Sequence, residues 1–459
     1  MTEPVIASAD TAVPIRCVRE GEPLRPEAQA IAALHDFKGQ AGRLQPLYGA
    51  DGGLTAVLFG LGKDGGDPTL ARGLPGRLPP GAYRLEDAPG AWGPTQTALA
   101  FALGSYVFDR YKARPQNGRV RLVAPDGTDL AEVRRTAHAC ALARDMVNTP
   151  ANDMGPLQIE TIAREIAEAN GARIAVVAGA DLLEANYPAV HAVGRAATAE
   201  RAPRIVEMTW GAEGPRVVVV GKGVVFDSGG LNIKPGGGMR WMKKDMGGAA
   251  HALALGRMIM EARLPMRLTV ITPLVENAIS AESFRPGDVL QTRKGLSVEI
   301  GNTDAEGRLI LADALTRAGE LEPDLTLDLA TLTGAARVAL GPQVVPFYTE
   351  DDALAQEIAQ ASRETFDPLW RMPLWAGYAE AIDSEIAQLS NDGADWAQAG
   401  SVIAALFLQK FRPATGAWAH FDIFAWNAKV RPGFAQGGEA QAVRALYAML
   451  ARRYGGGPR

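Results

Sequence analysis

Only ten lysines occur among 459 residues that are rich in arginine, and four of them, Lys222, Lys234, Lys243 and Lys244, fall close together. Lysine does what arginine cannot, because an amine can lose its proton and then ligate a metal or act as a tuned acid or base, whereas guanidinium stays charged. Lys243 and Lys244 read as the solvated start of a helix. Lys222 directly follows the apolar run Val217 to Gly221, where a free ammonium is costly unless paired. Deprotonating it at pH 7 from an ordinary pKa of about 10.4 costs roughly 4.6 kcal/mol, and coordination to a divalent cation can offset that cost.

Acidic residues fall near these lysines. Asp227 stands in Phe226-Asp227-Ser228-Gly229-Gly230, Asp245 before Met246-Gly247-Gly248, and Asp304 and Glu306 in Gly301-Asn302-Thr303-Asp304-Ala305-Glu306-Gly307-Arg308-Leu309. Each has a plain structural reading. Asp227 suits a turn and Asp245 a helix N-cap, while Thr303-x-x-Glu306 is a capping-box pattern. Against these stands the expectation that all three segments follow strands of one sheet, with Asp304 and Glu306 projecting to one side in extended geometry. Four carboxylates at one edge repel unless cations lie between them. Their four charges balance two divalent ions, with Lys222 as a neutral nitrogen ligand. Lys234 and Arg308 then remain as spare positive charges for a small anion or a developing oxyanion.

These segments resemble the leucine aminopeptidase (cytosol aminopeptidase) family over about residues 135 to 459. The resemblance rests on Asn302 to Leu309, on Gly221 to Gly230 with Lys234-Pro235, on Lys243 to Ala250, and on Thr331-Leu332-Thr333-Gly334-Ala335. It implies a metal-dependent aminopeptidase with two divalent metal ions, Mn or Zn. Lys222, Asp227, Asp245 and Glu306 would form a tight site, and Asp227, Asp304 and Glu306 a more exchangeable one. It also implies that Lys234 polarises the scissile carbonyl and that Arg308 holds bicarbonate as general base. Substrates would be peptides with a free N-terminus, and the assembly a homohexamer. The pocket for the first side chain is expected around Met242, Asn302, Thr331 and Gly334. The chain departs from the family where a small Ala-Gly pair is usual: it reads Asp422-Ile423-Phe424-Ala425-Trp426, and Phe424 is expected to narrow that pocket. Tyr187-Pro188 likewise replaces a glycine-rich turn.

Rival readings are weaker. Gly221-x-Gly223 fails the dinucleotide fingerprint because Phe226 occupies the third glycine position. Asp227-Ser228-Gly229-Gly230 resembles the nucleophile segment of trypsin-like proteases, but the chain has only two cysteines, Cys17 and Cys140, and Ser228 reads as a turn residue. Within the family, the alternatives are a narrow dipeptidase such as a cysteinylglycine hydrolase, or an accessory DNA-binding role. The five histidines are scattered, with His251 and His420 read as core residues, so any metal must be held by carboxylates.

The elements that must position these residues are legible as periodic runs. Strands are expected at Arg173 to Val177, Arg204 to Trp210, Arg216 to Val220, Arg267 to Leu274, Ser297 to Ile300 and Leu325 to Leu329. Helices are expected at Pro156 to Ala169, Ala249 to Ala262, Arg308 to Gly319 and Ser401 to Phe411. This alternation predicts an α/β catalytic domain over 151–459, with a mostly parallel mixed sheet flanked by helices. Before it, Pro26 to Phe37 and Thr95 to Tyr111 read as helices, Leu54 to Gly60 and Arg119 to Ala124 as strands, and Gly73 to Gly90 as loops. These make a small N-terminal α/β domain over 1–127, and Asp129 to Met146 makes a linker helix within 128–150.

Composition sets the outer bounds. A net charge of -5, 47% hydrophobic and 22% charged residues describe an ordinary globular protein and argue against a nucleic-acid partner. No apolar run approaches the roughly 20 residues of a membrane helix. The start Met1-Thr2-Glu3-Pro4 lacks the features of a signal peptide, so the expected location is cytoplasmic.

Overall fold

Four consecutive valines, Val217 to Val220, suit a strand covered on both faces, and all four are buried in the strand Arg216–Gly221. The computed structural model describes residues 3–112, 120–393 and 398–456. It places this strand inside a nine-stranded sheet. In spatial order the sheet runs Leu369–Arg371, Val345–Tyr348, Ala417–Asp422, Leu325–Ala330, Arg216–Gly221, Arg267–Asn277, Arg204–Trp210 and Arg173–Ala178, and Gly223–Asp227 pairs with Arg267–Asn277 off this path. The four central strands are parallel, and antiparallel pairs flank them.

Alternation along the central strand distributes its side chains to two faces. Val218 and Val220 pack with Leu309, Ile310 and Leu311 of the helix Gly307–Glu320. The helix Gly247–Glu261 lies against the sheet near Gly221. A Cβ at Gly248 would come 2.1 Å from Leu329 O, so only glycine lets this helix start so close to the strand ends.

The chain divides into two compact units, Met1–Ala141 with Ala428–Gln436, and Leu142–Asn427 with Gly437–Arg459. The division falls within the helix Leu130–Asn148. The first unit holds a six-stranded sheet in the order Val5–Ile6, Val120–Val123, Gly81–Glu86, Val13–Arg19, Leu54–Gly62, Leu44–Tyr48. Its core gathers Ile15, Val57, Phe59, Phe101 and Leu122.

Three expectations need correction here. The strand Gly81–Glu86 lies in the stretch read as loops, held between two parallel neighbours. The helix read to Tyr111 is Pro94–Gly104 and ends where Ser105 Oγ turns back onto Phe101 O at 3.0 Å. The strands Val5–Ile6, Val13–Arg19 and Leu44–Tyr48 lie where none is expected from the sequence. Of the strand expected over Arg119 to Ala124, Arg119 lies outside the described residues. No helix among the described residues is long and apolar enough to cross a membrane.

Candidate metal and substrate site

Three separate supports deliver the carboxylates. Asp227 ends the strand Gly223–Asp227, beside Asn277 at the end of the strand it pairs with. Its Oδ1 accepts from Gly229 N at 2.9 Å and from Asn277 Nδ2 at 2.8 Å. The turn role read for Asp227 therefore exists, but it uses one oxygen. The other, Oδ2, lies 2.8 Å from Lys234 Nζ.

Asp245 follows a 3₁₀ turn, Met242–Lys244, rather than a strand, and its side chain does not cap the helix Gly247–Glu261. Instead Oδ2 accepts from Lys222 Nζ at 2.7 Å and Oδ1 from Thr331 Oγ1 at 2.8 Å. The loop of Asp304 and Glu306 follows Ser297–Glu299, which belongs to a small sheet with Val289–Gln291 and Leu389–Ser390. The expectation that all three segments follow strands of one sheet is thus wrong: convergence comes from packing between elements.

The loop itself is turned, with Ala305 N donating to Asn302 O, so Asp304 and Glu306 do not project together as in a strand. The side chain of Glu306 is 1% exposed and that of Asp304 32%. Nor does a capping box form. Thr303 Oγ1 donates to Gly229 O at 2.6 Å and accepts from Asn232 N at 2.9 Å, while Glu306 Oε1 lies 2.9 Å from Lys222 Nζ. For a buried carboxylate, an ammonium offsets desolvation better than a terminal helix N–H does.

Lys222 leaves the end of the central strand and passes Gly307, where a Cβ would lie 2.3 Å from Lys222 Cε. The glycine between Glu306 and Arg308 is therefore what gives the lysine its path. Lys222 Nζ also donates to Thr331 O at 3.0 Å. Lys234 Nζ spans Asp227 and Asp304, lying 2.5 Å from Asp304 Oδ1.

One carboxylate oxygen each from buried Asp227, Asp245 and Glu306 lies within 4.8 Å of the others. The two ammonium groups bridge carboxylates in pairs, as small cations would. Glu306 Oε1 and Asp304 Oδ1 are buried, and among the described residues each is met by a lysine ammonium rather than by a main-chain donor. A concentrated set of hard oxygen donors with spare lone pairs fits divalent cations.

Electrostatics follow from this crowding. Burial and then the charge of Asp227 push Glu306 up to about 8 and Asp304 up to about 6. Burial pulls Lys222 down, but Asp245, Glu306 and Asp227 outweigh it and hold the ammonium above its ordinary range. The neutral Lys222 expected from sequence thus requires a cation to replace its proton. Lys234 is raised in the same way by Asp227 and Glu306 against its burial. Arg308 is buried, which lowers it; its Nη1 donates to Asn391 O at 2.7 Å, and among the described residues its Nε has no partner.

Lys243 and Lys244 are not a solvated helix start. Lys243 Nζ donates to Asn148 O at 2.5 Å, and Lys244 is 6% exposed. The turn Met242–Lys244 folds the lysines back toward Trp426 and Phe424, with Lys243 Nζ 5.6 Å and Lys244 Nζ 5.3 Å from those ring centroids. Among the expected pocket residues, Met242 and Thr331 flank Asp245, and Gly334 opens the short helix Gly334–Leu340. Asn302 belongs to the carboxylate loop, where its Oδ1 accepts from Asp304 N at 2.8 Å. Phe424 packs on Trp241, 6.4 Å between ring centroids.

Sequence reasoning missed the residues that hold these loops. Asn391 Oδ1 accepts from Gly301 N at 2.9 Å, and its Nδ2 donates to Asn302 O at 2.8 Å and Ala305 O at 3.2 Å. Asp422 accepts from Leu332 N at 3.0 Å, Thr333 N at 3.1 Å and Thr333 Oγ1 at 2.6 Å. Nothing in Ser390-Asn391-Asp392 marks it; for Asp422 the only signal was its place at a strand end. His251 is a satisfied core residue, with Nδ1 2.6 Å from Gly247 O and Nε2 accepting from Gln441 N. His420 Nδ1 pairs with Asp328 Oδ1 at 2.5 Å, and among the described residues its Nε2 has no partner. Ser228 is a turn residue, its Oγ bonded to Asn277 O and Gly230 N.

Residues 141–447 match the model of the cytosol aminopeptidase family, catalytic domain, and residues 23–125 match the N-terminal domain of the same aminopeptidases. The chain belongs to the cytosol aminopeptidase family. A probable cytosol aminopeptidase of Chlorobium limicola is 35% identical over 460 residues, covering 91% of this chain and 90% of that one. The cytosol aminopeptidase of Coxiella burnetii is 42% identical in a structure that superposes with a TM-score of 0.90, covering 97% of this chain and 98% of that one. The bottromycin maturation enzyme BotP in complex with Mn is 33% identical with a TM-score of 0.87, covering 96% and 100%. Membership makes this chain a metal-dependent aminopeptidase, a hydrolase that acts on peptides.

Proposed function

We propose that this aminopeptidase binds two divalent cations, one held by Lys222, Asp227, Asp245 and Glu306 and a more exchangeable one by Asp227, Asp304 and Glu306. The observation that carries the reading is the convergence of Asp227, Asp245 and Glu306 within 4.8 Å around two bridging ammonium groups. When bound, such cations supply Lewis acidity toward the scissile carbonyl and an acidified water.

The side chains supply the rest. Lys234, released from Asp227 and Asp304, donates to the carbonyl oxygen and to the oxyanion that develops from it. Arg308 is anchored through Nη1, and among the described residues its Nε has no partner. That suits it to hold bicarbonate, which would supply a general base at this position. The substrate's free amine lies beside Asp245 and must be neutral, which favours mildly alkaline pH.

Mn is the first metal to test, because BotP was solved in complex with Mn; Zn is the second. Assembly as a homohexamer and residence in the cytosol belong to the same reading, supported by family membership and by the relatives' name.

The deciding experiment is hydrolysis of leucine p-nitroanilide at alkaline pH, before and after chelation, with Mn or Zn restored. Activity lost on chelation and regained with metal supports the reading. A chelated enzyme that stays fully active overturns it, and cleavage of dipeptides alone converts it to the narrow dipeptidase.

A further inference from the structure

Of the four clustered lysines, three have their charge answered by the fold. Lys222 and Lys234 are each held by two carboxylates, and Lys243 by a main-chain carbonyl. Lys244 is different. It is 6% exposed, and among the described residues its ammonium makes no hydrogen bond. The nearest carboxylate oxygen, Asp245 Oδ1, is 3.9 Å away and already accepts from Thr331. An ammonium with so little exposure to water and no close acceptor is costly, and an anion arriving from outside offsets that cost.

Lys244 lies beside residues expected to line the pocket for a first side chain, two positions after Met242 and against Phe424. Its Nζ lies 5.3 Å from the centroid of Phe424, and Arg337 Cζ lies 4.9 Å from the same centroid. Arg337 sits three residues beyond Gly334, on the same face of its helix. Among the described residues nothing lies within 4 Å of a Cβ built on Gly334. An aromatic wall carrying two cations, next to the carboxylate cluster, matches a short chain ending in a carboxylate better than an alkyl group. An alkyl group would bury the ammonium further with no partner.

We propose that this enzyme selects peptides whose first residue is acidic, glutamate or aspartate, and that Lys244, assisted by Arg337, pairs with that carboxylate. The proposal deepens the aminopeptidase reading above and rests on it.

The test compares glutamyl and glutaminyl p-nitroanilide, equal in shape and different in charge, with the metal-loaded enzyme. Expected is a kcat/KM for the glutamyl substrate at least about tenfold higher, as one well-placed charge pair provides. The ratio falls toward one in Lys244→Met, falls less in Arg337→Met, and is partly kept in Lys244→Arg. Calorimetry with free L-glutamate and L-glutamine shows the same order without turnover.

Equal or faster cleavage of the glutaminyl substrate overturns the proposal, as does an unchanged ratio in a folded Lys244→Met protein. Brisk cleavage of leucyl substrate without glutamyl cleavage overturns the proposal and leaves the aminopeptidase reading standing. No cleavage of any N-terminal residue with any metal overturns both.

Discussion

Arg308 donates from Nη1 to the main-chain carbonyl of Asn391 at 2.7 Å, while the side chain of Asn391 bonds the loop that carries Asp304 and Glu306. One fully buried asparagine thus fixes both the carboxylate loop and the arginine that follows it. Asn391→Ala leaves Gly301 N and Ala305 O without their partner. We expect a loss of metal affinity and kcat of about 10- to 100-fold, the usual cost of removing a group that orients metal ligands. Asn391→Asp, which still accepts but no longer donates, should lose less. Metal titration beside thermal unfolding checks this; a variant with unaltered affinity removes Asn391 from the site.

Glu306→Gln is nearly isosteric and takes one negative charge from the cluster. It should lose most activity and bound metal yet keep its fold, because Lys222 retains Asp245 at 2.7 Å and Thr331 O at 3.0 Å. Metal analysis and circular dichroism distinguish this from unfolding. Full activity in this variant would sink the two-metal arrangement.

Metal binding should be strongly dependent on pH. Glu306, raised to about 8, and Asp304, raised to about 6, hold protons that a cation displaces, and Lys222 must shed one too. Affinity therefore rises as pH climbs through 6 to 8, with protons released. In the metal-free protein the same raised values favour the fold below the ordinary carboxylate range, and that contribution is lost as pH rises through about 6 and about 8. Added metal should thus stabilise most at the alkaline end. Titration with Mn in buffers of different ionisation enthalpy measures the protons; a flat affinity or no release contradicts the assignment.

Phe424 stands where its ring packs against Trp241 and carries Lys244 and Arg337. Phe424→Ala should widen the pocket and raise kcat/KM for leucyl relative to alanyl substrates by about tenfold or more, the scale that a single methylene sets in a pocket. A panel of Leu, Ala, Met and Glu substrates reads this directly. An unchanged strong preference for Leu in both proteins would show that Phe424 does not bound the pocket.

What the sequence made legible was chemistry and periodicity. Asp227, Asp245, Asp304, Glu306, Lys222 and Lys234 announce themselves by type and crowding, and the strand Arg204–Trp210 by its apolar run. What stayed hidden was whatever depends on contacts distant in sequence. Asn391 is an ordinary polar residue until its loop meets residues 301–305, some ninety positions earlier. Lys244 looked solvated because nothing local reveals that Phe424 covers it. The strand Gly81–Glu86 was hidden because its neighbours in the sheet supply the pairing that its glycine- and proline-rich surroundings discourage.

The segment Leu332–Thr333 is held by Asp422, at the end of the strand Ala417–Asp422. On the ribosome a chain emerges amino end first, so Lys222, Asp227, Asp245 and Glu306 are all synthesised well before that strand exists to seat the segment beside Thr331. The segment beside Thr331 is consequently among the last parts of the site to gain its support as the chain is made.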